Sequence, residues 1–211
     1  MLMPSSQPPE RPAVQKERRP IPQDQAPAAR RLFGAVTPPA AARDDLERAL
    51  APVRDAAGAP RWTAASRWHL TLLFVGGVPD AQVPAVVAAV RHAVAPTPPM
   101  TLRLAGAGRF GSARRPQVAW AGIEGDVEPL AALAARLATA AGDLGRPVED
   151  RPFRAHLTLG RWRPRAPADA TLLDRLAGYR GPAWPVTEVA LIESHLGRDA
   201  RYETLAAWPV G

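Results

Sequence analysis

One four-residue word occurs twice in this chain, as His69-Leu70-Thr71-Leu72 and as His156-Leu157-Thr158-Leu159. The first copy lies in the stretch Trp68 to Val75 and the second in Ala155 to Gly160. Both stretches are short, apolar and β-prone, so each is predicted to be a strand. Side chains alternate between the faces of a strand, so His and Thr of each copy share one face while the two leucines share the other. The leucine face can enter a core. The opposite face presents an imidazole beside a hydroxyl, twice, and the rest of the chain is the scaffold that must bring the two pairs together.

At 211 residues the chain can build one good core, or two small lobes that share one. No run of about twenty apolar residues is present, so no membrane span or membrane partner is expected. The N-terminus lacks the basic-then-apolar pattern of a secretory signal, and a cytoplasmic location is the expectation. Cysteine is absent, which removes disulfides, thiolate nucleophiles and cysteine metal sites together. The net charge is +7 and Lys16 is the only lysine, so the positive charge is carried by arginine. Arginine forks suit phosphate. A composition rich in Ala, Arg and Pro also follows from a GC-rich genome, so the bias by itself does not require an anionic partner.

Residues 1–29 hold seven prolines and almost no large apolar side chains, and are expected to form a disordered Pro-rich tail. The folded domain is placed at residues 30–211. Arg31 to Val36 is predicted to be its first strand, and Thr37-Pro38 the start of a helix with Ala42, Leu46 and Leu50 at helical spacing. Arg61-Trp62-Thr63 is a short extended piece before the first His-Thr strand, which Gly76-Gly77 is expected to break. Asp80 is expected to cap a second helix with the stripe Val83, Val86, Val87, Val90 and Val94. Met100 to Ala105 and Gln117 to Ile123 are predicted strands on either side of a Gly- and Arg-bearing loop, 109–116. Asp126 is expected to cap a third helix with Leu130, Leu133, Ala134, Leu137 and Ala141 on one side, closed by Gly142. Arg151-Pro152-Phe153-Arg154 leads into the second His-Thr strand. A short helix near Thr171 to Ala177 and two strands, Val186 to Glu193 and Arg201 to Trp208, with a Gly-Arg-Asp turn between them, complete the chain. The pattern is a half-domain written roughly twice, which fits an α+β domain of two similar lobes better than a doubly wound sheet. No Gly-rich phosphate loop follows any strand.

The chain has four histidines, and two of them occupy the same slot of the same word. A single such histidine is most simply a half-buried ring hydrogen-bonded to a neighbour; a matched pair on related strands points to function. With an ordinary pKa of about 6.5, an imidazole holds both forms near neutrality. One neutral ring can take a proton from water while the other, protonated, gives one to a leaving oxygen. Each adjacent threonine hydroxyl can donate to a nonbridging phosphate oxygen as charge develops there. No HExxH and no cluster of acidic residues near either histidine suggests a metal, and none is expected. The chemistry that fits is attack on a phosphodiester with in-line departure of an alkoxide.

These residues, with their surroundings, resemble the two-histidine phosphoesterases, and among them the bacterial and archaeal RNA 2',3'-cyclic phosphodiesterases, also called 2'-5' RNA ligases. Besides the two His-x-Thr-Leu words, the resemblance rests on Arg31-Leu32-Phe33, Pro38-Pro39, Arg61-Trp62, Phe74, Gly76, Arg151-Pro152-Phe153, Arg161 and Arg201-Tyr202-Glu203. It covers about residues 30 to 210. It implies two lobes with antiparallel sheets around a central cleft, helices on the outside and the motifs facing each other. It also implies hydrolysis of RNA 2',3'-cyclic phosphate ends to 2'-phosphomonoesters without a cofactor, with reverse 2'-5' ligation as a second capacity. In that reading His69 is the proton donor, His156 the proton acceptor, and Thr71, Thr158 and Arg161 hold the phosphate; the locally similar motifs could not by themselves distribute the two roles. The partner is RNA with a 2',3'-cyclic phosphate end, and the protein is expected to be a monomer. Gly34, Thr37 and Ala155 depart from the usual family pattern without touching this chemistry.

Two rival functions remain open from the sequence. One is a phosphodiesterase for another small cyclic phosphate or for 2',5'-oligoadenylate, and the other is an RNA-binding module without chemistry. His92 falls opposite the valine stripe and reads as surface. Ser194 and His195 are adjacent on a strand, so they point to opposite faces and do not form a nucleophilic pair. Phe74 falls on the leucine face by simple alternation and reads as core, as do Trp62, Trp68 and Trp162 at core or rim. The 109–116 loop is a candidate funnel for an RNA backbone.

Overall fold

A computed structural model describes residues 29–146, 152–195 and 201–211. Except for Ala29, the expected tail lies outside the described residues, as do Arg151 and the Gly-Arg-Asp turn. The elements are β1 (Ala29–Val36), α1 (Ala40–Leu50), β2 (Arg61–Trp62), β3 (Leu70–Pro79), α2 (Val83–Val94), β4 (Thr101–Ser112), β5 (Arg115–Gly125), α3 (Val127–Asp143), β6 (His156–Arg161), β7 (Arg180–Pro185), β8 (Glu188–His195) and β9 (Arg201–Pro209). The fold is α+β, and every strand pairing is antiparallel. No helix among the described residues is long and apolar enough to cross a membrane.

The strands follow the order β7-β4-β5-β6-β3-β1-β8-β9, with β2 paired to β6. The middle of that order is its weakest point, because β3 and β6 meet through one residue pair, Leu70 opposite Leu157. On either side stands a four-stranded half, β9-β8-β1-β3 and β7-β4-β5-β6, with its His-Thr strand at the inner edge. These are the two similar lobes that the sequence pattern predicts. Leu70, Leu157 and Leu159 are wholly buried and Leu72 nearly so, and all four belong to the main core. Helices supply the other wall of that core. The expected stripes are buried in α1 (Ala42, Leu46, Leu50) and in α3 (Leu130, Leu133, Ala134, Leu137, Ala141). In α2 the fully buried set is Val86, Val90, Ala93 and Val94, with Val83 and Val87 half-covered at the edge.

Several local expectations differ from the structure. Gly76-Gly77 does not end β3, which continues to Pro79 because β1 supplies partners to Val78 (Arg30) and Gly77 (Arg31), and Val78 is buried. Residues 109–116 are not a loop but the end of the long β4–β5 hairpin, which turns tightly between Ser112 and Arg115. Gly111 permits this turn: its φ is +89°, and a Cβ there would lie 2.5 Å from the Arg115 carbonyl oxygen. Strand β7 has no counterpart among the predicted strands; its two prolines, Pro182 and Pro185, are tolerated because it is an edge strand. The helix expected at Thr171 is a 3₁₀ segment, Thr171–Leu176, whose start is held by the Asp169 carboxylate accepting from the Thr171 amide and hydroxyl.

The three helix starts also differ. No side chain caps α1, whose flanking residue is Pro39 rather than Thr37. Asp80 opens a 3₁₀ turn ahead of α2 and accepts from Arg30 instead. Asp126 flanks α3, but its carboxylate accepts the amide of Thr101 at 2.8 Å, tying the start of the helix to the start of β4. α3 runs past Gly142 to Asp143, and the chain turns at Gly145, where φ is +68°.

Candidate active site

The pairing of Leu70 with Leu157 sets the geometry of the site. Both leucines point into the core, so the residues flanking them in each strand point to the other face. Antiparallel order then brings His69 toward Thr158 and Thr71 toward His156. The four expected residues gather around one strand crossing, each half-buried.

The rings are oriented the same way. The Nδ1–H of His69 donates to the carbonyl of Arg67 at 2.8 Å, and the Nδ1–H of His156 donates to the carbonyl of Arg154 at 2.7 Å. A carbonyl can only accept, so Nδ1 keeps its proton in either charge state. Nε2 is therefore the atom through which either ring can exchange a proton: a lone pair when the ring is neutral, an N–H donor when it is charged. Both rings are held below the ordinary histidine pKa, burial being the main cause in each and the carbonyl bond opposing it. A charge on His156 further opposes protonation of His69, while Arg154 and Arg161 oppose protonation of His156.

A β-bulge in each strand widens the site beyond what alternation allows. In the β1–β3 pairing, Ala35 lies opposite Thr71 and Gly34 opposite Leu73, so Leu72 is skipped. In the β5–β6 pairing, Trp120 lies opposite Thr158 and Ala119 opposite Gly160, so Leu159 is skipped. Each extra residue reverses the parity of the strand beyond it. Phe74 therefore leaves the core face, where alternation alone would put it. It pairs with Phe33 on the histidine face and is 49% exposed, with the Arg31 guanidinium 5.6 Å from its ring centre. By the same shift Arg161 lies on the face of Thr158, opposite Val118.

Aromatic rings that the sequence does not mark as site residues complete the walls. The His69 ring lies 4.8 Å from that of Phe33 and 5.3 Å, edge-on, from that of Tyr202. His156 stands edge-on to Phe110 at 4.9 Å, and Phe110 neighbours Trp120 at 5.8 Å. Phe33 and Tyr202 stand among the family matches, and Trp120 is one large side chain in a run of small ones, but only the strand register places them here. The other two histidines stay apart: His92 is exposed on α2, and His195 Nε2 lies 3.2 Å from Glu203 Oε2 at the far end of β8. The indoles of Trp62 and Trp162 donate to backbone carbonyls, of Arg54 and Gly58, and Trp68 is buried in the core.

The model of the 2'-5' RNA ligase superfamily matches residues 37–198, which include both motifs. The chain belongs to the 2'-5' RNA ligase superfamily. It is 33% identical to an RNA 2',3'-cyclic phosphodiesterase of Thermus thermophilus over 172 residues, 79% of this chain and 82% of that protein. A second RNA 2',3'-cyclic phosphodiesterase, from Geobacillus stearothermophilus, is 31% identical over 71% of this chain, which spans about half, 47%, of that relative's length. Among solved structures of similar fold, E. coli LigT in complex with 3'-AMP aligns with a TM-score of 0.71 at 30% identity, covering 86% of this chain and 98% of LigT. Membership in this superfamily agrees with the α+β fold, which is shared with LigT.

Proposed function

We propose that this protein hydrolyses RNA 2',3'-cyclic phosphate ends to 2'-phosphomonoesters in the cytoplasm, as a monomer, with two histidines as its acid and base. The observation that carries the reading is the Leu70–Leu157 pair, which turns both His-Thr pairs to one face, with Nε2 of each ring as its working nitrogen. The two superfamily relatives carrying the phosphodiesterase name, and the 3'-AMP held by LigT, support an RNA end as the substrate.

In this mechanism water attacks phosphorus in line with the 3'-oxygen. His156 Nε2 takes the proton of the water, and the P–O3' bond breaks as His69 Nε2–H protonates the departing oxygen. Thr71 and Thr158 donate to the nonbridging oxygens, and Arg161 adds a cation on the same face. Burial of His69 disfavours the protonated donor, and so would a charge on His156. A bound phosphate reverses this, since an anion favours the charged ring. The same anion acts on His156 against Arg154 and Arg161, which favour the neutral ring, the form that can take a proton. The exposed Arg114 and Arg115 at the β4–β5 turn extend the basic surface for an RNA backbone. Ligation with a 5'-hydroxyl is the reverse reaction, and it requires that second end to be held in the place of water.

The test is product analysis on an RNA with a 2',3'-cyclic phosphate end, in the presence of a chelator. A 2'-phosphate product from the wild-type chain is expected, with losses of about a hundredfold or more in His69→Ala and His156→Ala. Wild-type rates in either variant, or a 3'-phosphate product, would sink the assignment. Turnover that appears only with another cyclic phosphate or with 2',5'-oligoadenylate would move it to that substrate.

A further inference from the structure

The likeness of the two motifs extends upstream of the repeated word. An arginine stands two places before each histidine, Arg67 and Arg154, and contributes the carbonyl that accepts from Nδ1. The side chains of the two arginines behave differently. The Arg154 guanidinium lies 4.4 Å from the ring centre of Trp120 and 5.6 Å from that of Phe110, the ring that meets His156 edge-on. Among the described residues no aromatic ring carries Arg67 in this way.

Trp120 itself is seated on Gly108, its partner in β4. A Cβ at Gly108 would lie 2.3 Å from indole Cη2 and Cζ2, so only glycine lets the indole lie across the strand. Three layers result: the bare backbone of Gly108, the indole of Trp120 and the guanidinium of Arg154. An arginine face on an indole is a favourable cation–π contact, and it restrains a side chain that would otherwise sample many rotamers.

We propose that the Gly108–Trp120–Arg154 stack is a positioning device that fixes a guanidinium beside His156 and thereby distinguishes the two histidines. It rests on the functional reading above and supplies the asymmetry that the motifs lack. Among the described residues, the charged groups acting on His156 are Arg154 and Arg161 from its own segment, and across the strand crossing β3 carries His69. β4 and β5 turn the uncharged Phe110 and Trp120 toward it. A cation held in place opposes protonation of His156 even when a phosphate anion is bound. A freely rotating one would move out to water and be screened.

The test follows the titration of both imidazoles by NMR, with and without inorganic phosphate, alongside the pH profile of kcat/KM. In Arg154→Gln the His156 midpoint should rise while His69 does not rise with it. On the acid side kcat/KM should fall about three- to tenfold relative to the variant's own maximum. Trp120→Leu and Gly108→Ala should move the His156 midpoint in the same direction with Arg154 intact, and Arg154→Lys should restore most of the wild-type value. An unchanged His156 midpoint in Arg154→Gln overturns the proposal, as does an equal rise of both histidines. If the wild-type chain fails to turn over cyclic-phosphate RNA, the functional reading falls, while the titration still decides the role of the stack.

Discussion

Phe74 and Arg161 occupy matching places in the two halves of the molecule. Each is the fifth residue after the histidine of its motif, and each reaches the histidine face because a one-residue bulge, at Leu72 or at Leu159, reverses the strand's parity. One half thus places an aromatic ring beside its His-Thr pair and the other half a guanidinium. The halves differ at this one place, although aromatic rings flank both histidines and the Arg31 guanidinium lies against Phe74.

The bulge separates residues that look alike in the sequence. Leu72 and Leu159 are buried while Phe74 is half exposed, so Phe74→Ala should cost less than about 1 kcal/mol of stability. Leu159→Ala should cost about 2–5 kcal/mol. Urea unfolding of the two variants checks this, and a Phe74→Ala cost as large as that of Leu159→Ala would contradict the exposure of the ring. Arg161→Gln should leave the unfolding midpoint in place and raise KM about tenfold, through loss of a charged phosphate contact.

Thr71 and Thr158 should matter through their hydroxyls. Replacement by valine keeps the shape and removes the donor, and each variant should lose about tenfold to a hundredfold in kcat with its stability little changed. Thr→Ser at either position should recover most of the loss. Steady-state kinetics decides, and full activity in both valine variants would remove the threonines from the phosphate site.

Much of the fold and site is legible in the chain because strand alternation is a short-range rule. His69 and Thr71 need only the period of two, as do His156 and Thr158, and the apolar stripes of α1 and α3 need only helical spacing. What the sequence does not disclose depends on partners. A bulge is a property of a pair of strands, so the exposure of Phe74 and the facing of Arg161 cannot be read from one strand. The seat of Trp120 on Gly108 depends on the β4–β5 register in the same way. β7 is hidden by prolines that only an edge strand accepts.

Acid should weaken the fold through the site itself. Both histidines have a folded-state pKa below the ordinary value, so folding favours their neutral forms. Their contribution to stability is present above about pH 6.5 and is lost as the pH falls through the folded values. Urea midpoints measured at neutral pH and near pH 5 should fall in the wild type. They should fall less in the double variant His69→Gln/His156→Gln, and an equal fall in the two proteins would place the acid sensitivity elsewhere.

Tyr202 offers a way to tell which limb of the pH–rate profile belongs to His69. Its ring meets His69 edge-on at 5.3 Å and packs against Phe33 at 5.2 Å, so it contributes to the burial that lowers the His69 pKa. Tyr202→Phe keeps the ring and should leave the profile unchanged. Tyr202→Leu admits water to His69 and should raise its pKa. A donor must be protonated, so with His69 as the acid the alkaline limb moves to higher pH, and the acid limb, which reports His156, stays. If the acid limb moves instead, His69 is the base and the roles of the two histidines exchange. If neither limb moves, the ring does not act on His69 at all.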